Sequence, residues 1–423
     1  MMGRRALAIV AALLMLASGW VGLAVWRALA AAGSSLSQLE TVMEIVSLTK
    51  TNYVDPVSAT DLLRKYVQTG TIDGMLSVLG DPYTRYLDPP SWQELQIHTS
   101  ANFAGVGMYL AQKENQLIVQ APIPGSPAQA AGVQPGDVIV KIGDRSTAGM
   151  SQDEAVGLIR GPAGTTVRLE LQRAGVARPI VVELRRQVVH VPTVTGVTML
   201  PGGVGYLRLT EFSEPSPGQL DQALNRLRAQ GMQALLLDLR SNPGGLLETS
   251  VAVASRFLDS GPIVYVVSRN AQTQVYSAIP RIPTAVYDLP MVVLVNGGTA
   301  SAAEIVSGAL QDAGRAKLVG TRTFGKGLVQ TLIPLRSGGA LSLTTSRYLT
   351  RAKRTIHHTG IVPDVVVPDP PVDKLADYLF RDRAQLDDPQ LRAGYELLLR
   401  ELAAGPSGAT GASGAVQPEQ KAA

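Results

Sequence analysis

Two apolar runs that each end in a glycine-bearing turn and pass into an amphipathic helix constrain the middle of this chain more than any other feature. The first is ALLLDLRSNPGGLLETSVAVASRFL (234–258), broken at Asn242-Pro243-Gly244-Gly245; the second starts with LPMVVLV (289–295), turns at Asn296-Gly297-Gly298 and stops at Gly314. Short valine- and leucine-rich runs bounded by turn residues read as buried strands, and the apolar spacing after each turn reads as helix. Ser301 therefore falls in or near the first turn of a helix, where unpaired N–H groups and the positive end of the helix dipole gather. The N–H of Ala302 can there serve as an oxyanion donor. A second donor can come from Gly244 or Gly245, since glycine lets the backbone approach a reacting carbonyl; the sequence leaves the two open.

A serine at a helix start is, taken alone, a cap. To act as a nucleophile it needs a base, and the four histidines (His98, His190, His357 and His358) lie outside any strand-turn-helix signature, with no G-x-S-x-G around Ser301. A Ser-His hydrolase using a distant histidine is the competing reading. Lys326, in TFGKGLVQ and 25 residues after Ser301, fits better. At an ordinary pKa only roughly 0.04% of it would be neutral at pH 7, so the site must depress that pKa; a drop of about 3 units corresponds to roughly 4 kcal/mol, within reach of burial and a nearby positive helix end. Gly325 and Gly327 leave room for such burial and for a bent backbone that would let Gln330 orient the amine; an extended strand would leave Gln330 roughly 13 Å away on the same face.

With NGGTASAAE (296–304) and TFGKGLVQ (323–330) go DLRSNPGG (238–245), LGDPYTRYLDP (79–89), ALSLTTSRYLT (340–350) and TGIVPDVVV (359–367). Over most of its length the chain resembles the carboxyl-terminal processing peptidases of the bacterial tail-specific protease type. The resemblance implies a serine endopeptidase with Ser301, Lys326 and Gln330 as its catalytic residues, and Thr299 and Ala303 replace serines of the commoner pattern. It also implies an α/β fold for residues 187–370, the crotonase-like core seen in Clp-type peptidases, with Glu304 and Asp312 serving structure.

Residues 100–186 change to short strands, turns and one helix, in the order FAGVGMYL, SPAQAAGVQPGDVIVKIGDRST, SQDEAVGLIRG, TTVRLELQR, which resembles a bacterial PDZ domain inserted ahead of the core. Phe103, Gly105, Val106 and Gly107 would present N–H groups and an apolar groove to a carboxyl-terminal tail, so protein substrates with exposed C-termini are the expected partners. Arg160 stands where the resemblance implies an arginine linking peptide docking to active-site assembly; the plainer reading is an arginine offsetting a helix dipole. Residues 34–99 read as an N-terminal helical region with a turn at Asp81-Pro82, and the resemblance implies that it can mediate homo-oligomer contacts. The break-rich segment 268–290 is read as surface bordering the cleft, 371–403 as a C-terminal helical segment and 404–423 as a disordered tail.

After Arg4 and Arg5, the uncharged stretch Ala6 to Trp26 would span about 31 Å as a helix. With the basic residues inside, the bulk of the chain is expected in the periplasm or otherwise outside the cytoplasm, tethered to the membrane by residues 1–33. ALAAA (28–32) offers a cleavage site for the alternative of a removed signal peptide. There is no cysteine, and a net charge of +4 without a basic run, with 5% aromatics, gives nucleic-acid binding no support. No cofactor is expected, and no metal: His357 and His358 would point to opposite faces of a strand. The alternative outside enzymes is a membrane-anchored PDZ adaptor with an inactive core.

Overall fold

The protein is described by a computed structural model over residues 36–404, apart from 114, 270, 372–373, 376–377 and 379–384. The expected anchor at 1–33, much of the first C-terminal helix and the tail from 405 lie outside the described residues. Among those described, no helix is long and apolar enough to cross a membrane.

The N-terminal region comprises α1 (Leu36–Asn52), α2 (Ala59–Thr69), α3 (Ile72–Leu76), a short strand β1 (Arg85–Leu87) and α4 (Pro89–Ser100). The strand departs from the all-helical expectation. Asp81 accepts hydrogen bonds from Tyr83 N (2.9 Å) and Thr84 Oγ1 (2.7 Å), closing the turn that leads into it. Helices α1 to α3 bury Ile45, Leu62 and Met75 against Leu335, Leu341 and Leu343 of the following α/β core.

The inserted unit, expected from its sequence to resemble a PDZ domain and hereafter the PDZ unit, contains β2 (Asn102–Gly105), β3 (Met108–Lys113), β4 (Gln116–Pro122), a one-turn α5 (Pro127–Ala130), β5 (Val138–Ile142), β6 (Arg145–Ser146), α6 (Gln152–Ile159), β7 (Thr166–Gln172), β8 (Ile180–Arg185) and β9 (Gln187–His190). The sheet β3-β4-β5-β7-β8 wraps its own core around Val119, Ile139, Leu169 and Leu171. Strands β2 and β9 form a separate two-stranded ribbon at the root of the unit. One helix was expected; the second, α5, starts where Ser126 caps Gln129 N and Pro127 occupies the first turn.

The core holds two sheets. The larger runs β10 (Val194–Leu200), β11 (Val204–Leu209), β12 (Ala234–Asp238), β15 (Met291–Val295), β16 (Lys317–Gly320) and β19 (Val365–Val366), parallel except for β10 against β11. Strands β12 and β15 are buried on both faces, which is why they read as continuous apolar runs. The period of two divides them. Leu235, Leu237, Val293 and Val295 pack under α7 (Ser216–Ala229), α8 (Leu247–Ala254) and α9 (Ala302–Asp312). Leu236, Val292 and Leu294 face α10 (Pro389–Ala404), which comes so close that a Cβ on Gly394 would lie 2.8 Å from Leu236.

The second sheet is antiparallel. Its long strand β18 (Ala340–Thr350) takes β17 (Leu328–Pro334) on one edge and, on the other, β1 followed by β13 (Pro262–Ser268), with β14 (Gln274–Ser277) outermost. The N-terminal region is thus stitched into the core's sheet, and the PDZ unit is inserted between β1 and β10. Within 268–290, expected as surface, β14 pairs with β13 and Ala285 and Val286 are buried.

Candidate active site

The two glycine turns that follow β12 and β15 are tied to each other. Asn296 Oδ1 accepts from Ser241 N (2.7 Å), Thr299 Oγ1 donates to Leu239 O (2.8 Å), and Ala300 N donates to Asn242 O (2.9 Å). Thr299, one of the two departures from the commoner serine pattern, therefore serves as a clamp. The turns meet at Ser301: a Cβ on Gly244 would sit 2.7 Å from Ser301 Cβ and 2.9 Å from Ala302 N.

Ser301 caps α9 with φ 54° and ψ −118°, a conformation costing a non-glycine residue about 1–3 kcal/mol. Its surroundings hold it there. Ser301 N donates to Glu304 Oε2 (2.9 Å), and the buried Tyr348 hydroxyl donates to Ser301 O (3.2 Å).

Glu304 is fully buried, and its carboxylate gathers four donors: Ser301 N and Lys326 N (both 2.9 Å) on Oε2, Gly325 N (2.8 Å) and Thr323 Oγ1 (2.6 Å) on Oε1. A buried carboxylate is tolerated when its lone pairs are so filled. This one joins the serine turn to the loop 322–327. The glycines of that loop let it press on the next turn, since a Cβ on Gly325 would lie 2.8 Å from Gly360 N and one on Gly327 3.0 Å from His357 N.

Lys326 is half-buried, with Nζ 4.5 Å from the centroid of the Tyr83 ring. Burial is the main influence on the amine and draws its pKa below the ordinary lysine value; Asp81 and Glu304 pull it up, and Arg85 pushes it down. Gln330 lies in β17 at a register shift opposite Thr344, and its amide donates to Thr344 Oγ1 (3.1 Å). No hydrogen bond joins that amide to the Lys326 amine among the described residues.

Of the candidate oxyanion donors, Gly244 N is committed to Asn242 Oδ1 (2.9 Å), and the residue is buried. Gly245 is exposed, and its N–H and that of Ala302 have no acceptor among the described residues. Only glycine fits at 245, where φ is 141° and a Cβ would fall 2.2 Å from Phe212 O.

In the PDZ unit the guanidinium of Arg160 lies over the Phe103 ring, 5.4 Å from its centroid. The carbonyls at the end of α6 are held instead by Arg186, which donates to Leu158 O (2.9 Å) and Ile159 O (2.8 Å). Gly105 backs onto the Phe103 ring, Val106 is buried, and Gly107 (φ 75°) accepts at its oxygen from Ser126 Oγ (2.8 Å). The N–H groups of Val106 and Gly107 have no acceptor among the described residues.

His357 and His358 do not lie on opposite faces of a strand. Hydrogen bonds from Thr359 N and Gly360 N to Ile356 O close a turn, with ring centroids 3.8 Å apart. Asp312 has the structural task expected of it, accepting from Ala352 N and Arg354. Sequence reasoning gave Tyr83 and Tyr348 no place beside Ser301 and Lys326; Glu304 has the structural task expected of it, with donors at 323, 325 and 326 that the sequence did not announce. The only signal for Tyr83 was the Asp-Pro-Tyr turn.

A model of peptidase family S41 matches residues 203–367, a PDZ-domain model 118–173, and a model described as the activating protease CtpB N-terminal domain 24–90. The chain is similar to a carboxyl-terminal-processing protease of Synechocystis sp., 41% identical over 342 residues that cover 79% of this chain and 78% of that one. To the carboxy-terminal-processing protease of Bartonella bacilliformis it is 35% identical over 399 residues, covering 87% and 90%. A solved Bacteroides fragilis structure of the S41 protease class, 18% identical, superposes with a TM-score of 0.54 over 85% of this chain and 97% of that one, a likeness of fold.

Proposed function

The chain belongs to the carboxyl-terminal processing proteases of peptidase family S41, and on that basis we propose a serine endopeptidase of the cell envelope that captures exposed C-terminal tails on its PDZ unit and cuts with a Ser301–Lys326 dyad. The observation that carries the reading is the Glu304 carboxylate, which holds Ser301 N and Lys326 N on one oxygen at 2.9 Å each. An inactive adaptor has no use for that junction.

In the reaction, neutral Lys326 takes the proton from Ser301 Oγ as the oxygen attacks the scissile carbonyl carbon. The carbonyl oxygen, now negative, is met by the free N–H groups of Ala302 and Gly245. Collapse breaks the C–N bond, and the Lys326 ammonium passes its proton to the leaving amine. Water then attacks the acyl ester as Lys326 accepts its proton; collapse breaks the C–Oγ bond, the Lys326 ammonium returns that proton to Ser301 Oγ, and the substrate leaves with a new carboxyl terminus. The N–H groups of Val106 and Gly107 suit a terminal carboxylate, and the Phe103–Arg160 stack stands beside them. The apolar stretch after Arg4 and Arg5 supports an extracytoplasmic site for this chemistry.

The purified full chain should cleave an unfolded protein ending in an apolar tail, and Ser301→Ala and Lys326→Ala should each abolish cleavage. Full activity in Lys326→Ala would remove the lysine from the mechanism. Tail peptides that bind while nothing is cut would favour the adaptor.

A further inference from the structure

The Lys326 amine sits on the face of Tyr83, 4.5 Å from the ring centroid, and donates no hydrogen bond to Ser301 or Gln330. That ring belongs to the N-terminal region, and its place is fixed by strand register. Tyr83 N is held by Asp81 Oδ1, Thr84 Oγ1 donates to Asp81 Oδ2 and accepts from Thr344 N (3.0 Å), and Arg85 to Leu87 then pair with Ser342 to Ala340. Burial and the carboxylates of Asp81 and Glu304 keep the phenol protonated, so the lysine meets a neutral ring through its face.

We propose that Tyr83 is a positioning residue for the base: its ring retains the Lys326 side chain while the amine is charged and releases it once the proton is lost. The ring's quadrupole attracts a cation and has no comparable hold on a neutral amine. Position and charge are thereby coupled. A charged amine is kept over the ring, with no hydrogen bond to Ser301, and a neutral one is free to turn to the hydroxyl. A region outside the peptidase core thus takes part in setting when the base becomes available. The inference rests on the Ser–Lys reading.

The amine is also faced by Asp81, Glu304 and Arg85, with His357 on the turn packed against Gly327. All of these stay in place when only residue 83 is changed, so comparisons among variants at 83 isolate the ring. Removing the ring's preference for the charged form must lower the pH at which the amine deprotonates.

The test is the pH profile of kcat/KM for cleavage of an unfolded protein by the full chain, whose rising limb reports loss of the Lys326 proton. Tyr83→Phe keeps a ring face and should leave the limb in place. Tyr83→Leu keeps apolar cover without the quadrupole and should move the limb down by about 0.5 to 1.5 pH units. Fluorinated phenylalanines at position 83, nearly the same shape, should move it down stepwise with each added fluorine, which keeps the test open if the leucine variant folds poorly. A limb that stays fixed across the fluorinated series, while Lys326→Ala is inactive, would overturn the role of Tyr83 and leave the dyad standing. Activity in Lys326→Ala would overturn the dyad and this inference with it.

Discussion

At the scale of single residues, the site depends on a serine held in a costly backbone conformation and a carboxylate that fixes it there. Glu304 occupies the third position of α9, where a glutamate reads as part of a helix cap, and sequence reasoning accordingly gave it to structure. Its donors at 323, 325 and 326 are about twenty residues away in the chain, and no local pattern announces them. Glu304→Gln exposes the difference between cap and junction. An amide keeps one acceptor oxygen and turns its NH2 group either towards Ser301 N and Lys326 N or towards Gly325 N and the Thr323 hydroxyl, which can accept from it, so at least one backbone N–H is left unpaired at about 1–3 kcal/mol. The variant should unfold at lower temperature and lose about 10²-fold or more in kcat, with KM little changed, because the donors it frees set the relative position of Ser301 and Lys326. Calorimetry with steady-state kinetics checks this, and kcat unaltered in a destabilised protein would reduce Glu304 to a cap.

At the scale of elements, legibility followed length and periodicity. Strands β12 and β15 and helices α8 and α9 were readable because buried parallel strands are apolar throughout and their helices repeat at 3.6 residues. Strand β1 was not, since three residues following a turn carry no period and the pairing that makes them a strand comes from β18, more than 250 residues later. The choice between Gly244 and Gly245 was equally closed to sequence, as it turns on which N–H the Asn242 side chain accepts. Two arginines show the same limit. Arg160 ends α6 and could have been its dipole partner, yet Arg186 holds the helix carbonyls and Thr165 Oγ1 besides. Arg186→Ala should therefore loosen the PDZ unit by about 1–3 kcal/mol, whereas Arg160→Ala, giving up one ring contact, should cost about 1 kcal/mol or less. Hydrogen exchange of the amides in 166–172 reads that unit directly, and equal loss of protection in the two variants would contradict the division of labour.

At the scale of the whole molecule, the two glycine turns of the candidate site are held by segments far outside them. Arg240, two residues before Asn242, is fully buried between Asp238, on the end of β12, and Asp388 at the start of α10; its guanidinium lies 2.6 Å from one carboxylate and 2.8 Å from the other, and donates to Gln390 Oε1 (3.0 Å). Tyr206 donates to Asp238 Oδ2 (2.9 Å), and Asp388 in turn accepts from Gln390 N and Leu391 N, so the same cluster caps α10. Burial is the largest influence on Asp238 and acts to raise its pKa; the Arg240 charge and hydrogen bonds, with Arg208, outweigh it, and the net result is below the ordinary aspartate value. A carboxyl group whose folded pKa is depressed adds stability that is present above its unfolded pKa, about 3.9, and is lost as pH falls through the folded value. Asp238→Asn removes that contribution and leaves Arg240 short of a partner, so at pH 7 it should destabilise the core by about 3–5 kcal/mol. As pH drops below about 4 the unfolded chain takes up a proton at this carboxyl that the folded chain still resists, so the charge's contribution shrinks and the gap between native and variant should narrow. Urea unfolding at pH 7 and pH 3, at equal ionic strength, measures both ends. A gap as wide at pH 3 as at pH 7 would show that the carboxylate's charge contributes nothing and that the cluster acts through packing alone.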